Sequence, residues 1–562
     1  MSDSAISASA KGASFLILLQ IGSRALTFAL NQILLRFLSP ELLGVSVQLE
    51  LYCISVLYFS RESLRVTLQR RADGVQAVVN LAYLALAAGV PISYLLAELY
   101  LRTELPNVAH LILSLQIYGV AALVELCSEP SFVAGQQKML YKVRASAEAA
   151  ATIMKTFVTV GLVFWAASGA GGEKKDLGVL PFAAGQLAYA VCLLLVYIGR
   201  MAVVARSEGF SLLPRRIVST RTEKFWLSLF SNPLLNLTLS LTIQSSIKYV
   251  LTQGDSLLIA SLASLQDQGA YALSSNYGGL IARMLFQPIE EASRNLFAKL
   301  CAPASTPAPT TTSITTEGKQ AAATQETAAS KANIQRAAQT LHQILTLYTL
   351  LSLIITTLGP SLSHPLLTLI AGSKWTSTGA SSVLALYANY IPLLAINGVT
   401  EAFVAATATR GELYRQSIWM GVFSAVFAGS AFLFLRVLEW GAKGLVVANC
   451  VGMACRIVFN LGFVKAFFKR NGETFSIQSI LPTFYTIAST GLAMALVNTT
   501  ALPTSTASKK GIFTPLALFL SRYGVLGELV RIGAVGVVYV IALAFFERKF
   551  LLGFYRQMRP TR

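Results

Sequence analysis

Apolar runs of about 20 residues recur along the whole chain, and they constrain its fold more than any other feature. Hydrophobic residues make up 54% of the 562 residues, and charged residues only 13%. A run of this length can cross a bilayer as a helix, and a helix satisfies all of its backbone hydrogen bonds internally. The sequence therefore predicts an all-α polytopic membrane protein.

We count fourteen such runs and predict a transmembrane helix for each. The first is too long for a signal-peptide core and no small-residue cleavage site follows it, so we expect it to stay in the mature chain. In the seventh we expect a break at Gln253-Gly254-Asp255. The predicted helices cover residues 13–38, 42–60, 75–101, 107–127, 145–167, 178–200, 227–263, 269–298, 336–358, 380–406, 414–437, 443–468, 480–498 and 525–547.

The seventh and eighth predicted helices repeat the pattern of the first two. Gln20 and Arg24 in the first helix match Gln244 and Lys248 in the seventh. Each repeat then holds six helices, and an even number makes the two repeats parallel. We expect two pseudo-symmetric six-helix lobes around a central cleft, plus two C-terminal helices.

Basic residues in the connections predict the orientation. With a cytosolic N-terminus, roughly 28 Lys and Arg lie in cytosolic segments against about 8 on the other side, so both termini are predicted to be cytosolic. The segment after the eighth helix is rich in Thr, Ala, Ser and Pro, which predicts a disordered linker. The predicted organisation is an N-lobe (1–200), a cytosolic basic loop (201–226), the start of the C-lobe (227–300), a disordered cytosolic linker (301–335), the rest of the C-lobe (336–468), helices 13 and 14 (480–547) and a cytosolic tail (548–562).

Several function classes are disfavoured by what the sequence lacks. The six cysteines are scattered singly with no Cys-x-x-Cys pair and no His cluster, so we predict no disulfide framework, no metal site and no cofactor. No Gly-x-x-x-x-Gly-Lys-Ser/Thr motif is present, which argues against ATP-driven transport. The net charge of +19 follows mainly from topology, with anionic lipid headgroups as a secondary partner, and nucleic acid is not expected to bind.

Charged residues inside the predicted helices are the candidate functional residues, because a charge near the bilayer centre is costly and usually faces a wet cavity. Five cations form an apparent surplus over nearby acids, and such a surplus suits a phosphate or pyrophosphate group. For Arg36 the alternative is that it reaches the luminal interface from the end of its helix. The predicted cleft cations are Arg24, Arg36, Lys155, Lys248 and Arg456.

Acidic and basic residues also occur one turn apart at equivalent helix ends of the two repeats. We interpret them as a gate between the lobes; the alternative is that they neutralise each other and fix the helix ends at the cytosolic face. Other polar positions are expected to face the cleft, although Asp255 has the alternative role of capping the helix after the predicted break. The gate residues are Arg61, Glu62, Arg65, Arg283, Glu290 and Glu291, and the other cleft residues are Asp255, Asn397 and Glu401.

Five segments together resemble one family, the eukaryotic endoplasmic-reticulum translocation proteins for the dolichol-linked heptasaccharide of N-glycosylation. This family, called requiring-fifty-three, belongs to the multidrug, oligosaccharidyl-lipid and polysaccharide exporter superfamily. The segments are SRE at 60–62, EP at 129–130, LTQGD at 251–255, RMLFQPIEE at 283–291 and AINGVTE at 395–401. One departure is Asp255, where relatives more often have Glu.

The resemblance implies a membrane protein of the endoplasmic reticulum that is not an enzyme. Its cargo would be dolichol pyrophosphate carrying five mannoses and two N-acetylglucosamines, which must pass from the cytosolic to the luminal leaflet. By position, the family's functional charges would be carried by Arg24, Arg36, Arg65, Lys155, Glu290, Glu291 and Arg456.

Three other functions are alternatives to a flippase, a protein that moves the glycolipid between leaflets. A non-transporting chaperone or scaffold for the same glycolipid needs the same cleft and cations, so the sequence does not separate it from a transporter. A cation-coupled antiporter would place lone carboxylates deep in a lobe, whereas the deep charges here are mainly cations. A membrane glycosyltransferase is disfavoured because the chain has no Asp-x-Asp and its first luminal connection, 39–41, is very short.

Overall fold

The computed structural model describes residues 29–70, 74–102, 105–138, 140–168, 176–217, 225–226, 228–301, 316–499 and 523–558. Most of the first predicted helix, including Arg24, lies outside these residues, as do the side chains of Lys248 and Arg283. The described residues are almost entirely α-helical. Their one sheet is a hairpin of two-residue strands, β1 (Phe225–Trp226) and β2 (Phe230–Ser231).

The chain divides into two compact units, Met1–Ser261 and Leu262–Arg562. In the first unit, Phe132, Ala147 and Met201 belong to an apolar core that joins α3, α5, α6 and α7. The helices of this unit are α1 (described at 29–35), α2 (Pro40–Arg70), α3 (Val75–Leu101), α4 (Leu111–Cys127), α5 (Glu129–Gln137), α6 (Tyr141–Ser168), α7 (Leu180–Glu208) and α8 (Asn232–Leu262), whose last residue passes the boundary.

In the second unit, Leu350 on α11, Ala493 on α17 and Tyr539 on α18 belong to one core, so the two C-terminal helices pack on α11. The α-helices of this unit are α9 (Leu265–Ile281), α10 (Gln287–Leu300), α11 (Thr316–Ile370), α12 (Ser373–Ser377), α13 (Ala380–Ala388), α14 (Ile391–Thr407), α15 (Arg410–Phe432), α16 (Gly441–Arg470), α17 (Phe484–Thr499), α18 (Gly524–Phe546) and α19 (Arg548–Met558). Short π-helical turns cover Ala282–Phe286 and Leu433–Val437, and a 3-10 turn covers Gln478–Ile480.

The described part of the chain has nine helices that are long and apolar enough to cross a membrane, or ten if the bent pair α13–α14 is one span. A further apolar helix, Phe484–Asn498, is shorter. These helices confirm a polytopic, all-helical membrane protein. The count of fourteen and the layout of two lobes around a cleft stay predictions, because the first predicted helix is mostly undescribed and α8, α9 and α10 are not among the nine.

The break predicted at residues 253–255 is absent from the structure, because α8 runs through these residues without interruption. One glycine in a helix costs only about 1 kcal/mol relative to alanine, so Gly254 need not end the helix. The irregularity lies instead at the π-helical turn Ala282–Phe286, just before Pro288. Proline lacks an N–H and its ring crowds the carbonyl four residues earlier, and a wider turn relieves that crowding.

The predicted disordered linker is also corrected in part. Residues 316–335 belong to α11, while 302–315 lie outside the described residues. This part of the linker is rich in Ala, Gln, Lys and Glu, all of which favour helix. A low content of aromatic residues thus indicated an exposed segment but did not distinguish a polar helix from a disordered chain.

Helix α8 packs in the first unit, although the sequence assigns it to the second repeat. The Thr238 hydroxyl donates to that of Thr67 at 3.1 Å, and the Thr242 hydroxyl donates to that of Ser63 at 3.1 Å. Farther along the same two helices, the hydroxyls of Ser55 and Tyr249 lie 2.6 Å apart. Side-chain hydrogen bonds therefore join α8 to α2 over several turns.

The basic loop predicted at 201–226 begins as the end of α7, and its next part is bound to α3. Asn80 is fully buried; its amide nitrogen donates to the carbonyls of Arg215 and Leu229, and its amide oxygen accepts from the Arg215 N–H. The Tyr83 hydroxyl donates to the Leu212 carbonyl at 2.9 Å. Residues 211–217 are therefore fixed to α3 by its polar side chains.

Candidate functional site

Two arginines one turn apart on α2 face two carboxylates that are four residues apart on α4 and α5. Arg61 Nη1 donates to Glu125 Oε1 at 2.9 Å. Arg65 binds Glu129 through two hydrogen bonds, one of them from Nη2 to Oε2 at 2.7 Å. Residues four apart on a helix point to the same side, so each α2 arginine hydrogen-bonds its own acid, and Arg61 Nη1 also lies 3.8 Å from Glu129 Oε2. The two-point contact also fixes the orientation of the Arg65 guanidinium.

The buried surroundings of these pairs make them costly to break. Glu129 is only 1% exposed. The Arg65 guanidinium lies over the Phe132 ring, 3.9 Å from its centroid, and the Arg144 guanidinium lies 5.3 Å from the same centroid. Removing one partner of a buried ion pair leaves an uncompensated charge, which typically costs about 3–5 kcal/mol.

This arrangement corrects the pairing expected for the gate residues. The one-turn spacing predicts that Arg61 and Arg65 pair with Glu62 on the same helix, whereas the structure pairs both with acids on other helices. Among the ion pairs of the described residues, Glu62 takes part in none. A carboxylate on another helix can approach a guanidinium with both oxygens, as Glu129 does with Arg65, whereas Glu125 accepts one hydrogen bond from Arg61.

Lys155 also has an acidic partner. Its Nζ lies 3.1 Å from Glu50 Oε1, joining α6 to α2, and both side chains are partly exposed. The premise of a cation surplus therefore fails for Lys155. The α2–α6 region brings together Arg61, Arg65 and Lys155 with Glu50, Glu125 and Glu129, so its described charges balance.

Of the other predicted cations, only Arg36 and Arg456 have side chains among the described residues. Arg36 is exposed in the turn that follows α1, and its N–H donates to the Ile33 carbonyl at 3.2 Å. Asp255 is half-buried on α8. In the second unit, Arg456 is half-buried on α16.

A polar cluster in the second unit joins three of the predicted residues. Asn397 donates from Nδ2 to Glu401 Oε2 at 3.0 Å, and Asn460 donates from Nδ2 to Asn397 Oδ1 at 3.2 Å. Glu290 on α10 packs directly on Gly398 of α14: a Cβ added to Gly398 would lie 1.7 Å from Glu290 Oε1. We call Glu290, Asn397, Glu401 and Asn460 the polar cluster.

The two carboxylates of the polar cluster, Glu290 and Glu401, carry charge of the same sign and repel each other. The Glu290 carboxylate feels the like charge of Glu401 and the opposite charge of Arg294. Glu291 is exposed instead, and its Oε1 accepts a hydrogen bond from Gln287 at 3.2 Å. The predicted pair of adjacent glutamates therefore separates, because neighbouring positions on a helix point in different directions.

Sequence reasoning missed Glu50, Glu125, Glu129 and Asn460 as site residues. For Glu125 and Glu129 a signal was present, since their spacing equals that of Arg61 and Arg65. Asn460 carried no comparable signal, because one asparagine in an apolar helix has no fixed partner in the sequence.

A family model described as Rft protein matches residues 8–557 of this chain. The chain belongs to the Rft-1 family. A relative from Yarrowia lipolytica is 33% identical over 536 residues, covering 87% of this chain and 75% of its own length. One from Xenopus tropicalis is 31% identical over 475 residues, covering 82% of each chain. Both are named Man(5)GlcNAc(2)-PP-dolichol translocation protein RFT1.

Among solved structures, the chain is similar to the lipid II flippase MurJ in an inward closed conformation. The TM-score is 0.58 at 13% sequence identity, and the match covers 96% of this chain and 99% of the other. An inward-facing multidrug-resistance MATE family transporter of the MOP superfamily matches with a TM-score of 0.52 at 12% identity, covering 80% and 95%. The chain therefore has a fold that is also found in membrane transporters.

Proposed function

We propose that this chain moves the dolichol-pyrophosphate-linked heptasaccharide from the cytosolic to the luminal leaflet of the endoplasmic reticulum for N-linked glycosylation. The observation that carries the proposal is family membership over residues 8–557, with relatives named as translocation proteins for that glycolipid. In this proposal the protein is a multi-pass transporter rather than an enzyme, uses no cofactor and has both termini in the cytosol.

The ion pairs of the first unit support a role in handling an anionic group. We propose that Lys155 leaves Glu50 when cargo arrives, because a pyrophosphate carries more charge than a carboxylate and accepts stronger charge-assisted hydrogen bonds. The partial exposure of both Lys155 and Glu50 makes such an exchange cheap. Arg24, Arg36, Lys248 and Arg456 are proposed as further pyrophosphate contacts.

The buried pairs are proposed to have a different role. Arg61 and Arg65 are held by almost fully buried carboxylates, so releasing them costs much more than releasing Lys155. We propose that these pairs, with Glu62, Arg283, Glu290 and Glu291, act as gate charges that hold helix ends in register. Asp255, Asn397 and Glu401 are proposed to offer polar contacts to sugar hydroxyls.

Sealed microsomes test this function in its native membrane. After depletion of the protein, we expect the heptasaccharide lipid to accumulate where an externally added glycosidase can digest it, and re-expression should reverse this. An unchanged leaflet distribution combined with lower use of the lipid would favour a chaperone or scaffold over a transporter.

Cation coupling is a second candidate, and the polar cluster favours it. Two neighbouring carboxylates, one of which accepts a hydrogen bond from an amide, are the kind of group that takes up a proton or a monovalent cation inside a membrane. Leaflet transfer in vesicles with and without a Na⁺ or pH gradient separates coupled from uncoupled transport. A transfer rate that is the same under all gradients argues against coupling.

A further inference from the structure

An apolar cavity of about 340 Å³ lies within the second unit, between α9, α11, α13 and α14. Its walls include Tyr277 and Ile281 of α9 and Ile391 of α14, and most of the remaining lining comes from α11. No charged residue lines it. We call it the hydrocarbon groove.

The groove follows the axis of α11. Ile354, Leu358, Leu362, Leu366 and Ile370 line it at intervals of four residues, and a second row of lining residues lies one position after each of the first four. Sixteen residues of helix rise about 24 Å, against about 30 Å for the hydrocarbon core of a bilayer. The groove is therefore long enough to follow a chain across most of one membrane.

The dimensions of the groove restrict its occupant. A volume of about 340 Å³ spread along this length is too narrow for a helix, whose diameter is about 10 Å. Ile281 and Leu366 at its edge are more than a third exposed, and α11 is one of the membrane-length helices, so the groove opens toward lipid. A single hydrocarbon chain fits these limits, and a partner helix does not.

The groove ends near polar groups on the same helices. Ile391 precedes Asn397 by six residues on α14, and Ile281 precedes Glu290 by nine along α9 and α10. On α11, Tyr348 lies before the groove and its hydroxyl points to the Phe286 carbonyl at 3.4 Å. The apolar groove and the polar cluster are therefore consecutive, which matches a lipid with one polar end.

We propose that the hydrocarbon groove holds part of the isoprenoid chain of the glycolipid while its polar head is handled elsewhere in the protein. This inference rests on the proposed function for the identity of the lipid. Inside a bilayer the hydrophobic effect does not favour an isoprenoid chain in the groove over one in the surrounding lipid. Selection of the chain therefore depends on packing and shape. The groove wall is closely packed at Gly359, where an added Cβ would lie 2.8 Å from Ala388 Cβ.

Photolabelling of the full chain in nanodiscs tests the proposal. The probe is an isoprenoid diphosphate with a diazirine in the middle of its chain, and peptides are mapped by mass spectrometry. We expect label on the groove residues of α11 and neighbouring helices, competed by unlabelled isoprenoid diphosphate. Label outside the groove would overturn the proposal. Equal competition of the groove label by phosphatidylcholine would also overturn it, because the groove would then hold ordinary acyl chains.

Two leucines on α11 provide a matched pair of variants. Leu366 lines the groove at 37% exposure, whereas Leu369 is 43% exposed and does not line it. Leu366→Trp should reduce labelling about tenfold by filling the groove, a loss of about 1.4 kcal/mol in binding. Leu369→Trp should leave labelling unchanged. Equal labelling of both variants would contradict the proposal.

A smaller substitution covers the case in which Leu366→Trp does not fold. In Leu366→Cys, bound isoprenoid diphosphate should slow modification by an apolar thiol reagent, and in Leu369→Cys it should not. Protection at neither position would overturn the proposal. Leaflet transfer separates this inference from the proposed function, since groove labelling without transfer contradicts the function alone and transfer without groove labelling contradicts the groove alone.

Discussion

Individual residues in this protein carry charge into helices of membrane length, and ion pairs between described residues join α2 to α4, α5 and α6. Arg65 and Glu129 share two hydrogen bonds beside the Phe132 ring, while Lys155 and Glu50 share one at a more exposed position. Burial makes the first pair a structural element, because either charge alone would be left without solvent. Exposure makes the second pair able to open.

Glu129→Gln should destabilise the folded protein. The change keeps the shape of the side chain but leaves the Arg65 charge buried without its counter-charge, at a cost of about 3 kcal/mol. Thermal unfolding of the purified protein measures it. Glu62→Gln on α2 is the control and should change stability by less than about 0.5 kcal/mol. Equal losses in the two variants would argue against a special role for the Arg65–Glu129 pair.

Exchange of the Lys155 and Glu50 charges tests whether Lys155 acts only as an ion-pair partner. Lys155→Glu alone should impair N-glycosylation while protein level stays near normal, because the surface-exposed pair contributes only about 1 kcal/mol. The double variant Lys155→Glu/Glu50→Lys restores an ion pair, yet glycosylation should stay low because the cation has moved to another helix. Full recovery in the double variant would show that the pair matters and that the position of the cation does not.

Elements of this fold approach each other most closely where a glycine allows it. Gly398 on α14 permits the Glu290 side chain of α10 to lie against the backbone, and this contact brings Glu290 to the polar cluster. The neighbouring Asn397 then links α14 to α16 through Asn460. Three helices of the second unit, α10, α14 and α16, are thus joined at the polar cluster.

Gly398→Ala should disturb this junction. The added methyl group occupies the position of the Glu290 carboxylate, so that side chain must move away, and overpacking of this kind costs about 1–3 kcal/mol. We expect a lower unfolding temperature and weaker N-glycosylation in cells. Gly462→Ala on α16 is the matched control, since nothing lies within 4 Å of the added Cβ and alanine favours helix. Similar defects in both variants would contradict the packing argument.

The helices could be predicted from sequence because length and apolar composition decide whether a segment crosses a membrane. The partners of the charged residues could not be predicted, because Glu125 and Glu129 each lie 64 residues along the chain from the arginine that they bind. The intact α8 and the helical residues 316–335 were missed because local composition sets only small preferences. The sequence therefore did not predict the ion-pair partners of Arg61 and Arg65, and the roles of the site residues stay predictions.

At the scale of the whole molecule, the chain is a polytopic membrane protein of the Rft-1 family with a fold that is also found in transporters. Its two units differ in their polar chemistry. The described α2–α6 region of the first has ion pairs whose charges balance, and the second has a polar cluster beside an apolar groove. An amphiphilic cargo with an anionic head, a sugar chain and a hydrocarbon tail matches this combination.

Translocation by the purified protein tests the central claim most directly. The protein is placed in liposomes with authentic dolichol-linked heptasaccharide, and the fraction of lipid that becomes inaccessible to an external sugar-binding probe is followed over time. We predict transfer above that of protein-free vesicles, reduced in Lys155→Glu and unchanged in Leu369→Trp. Tight binding of the glycolipid with no transfer above protein-free vesicles would contradict the account and identify a glycolipid-binding protein that does not transport.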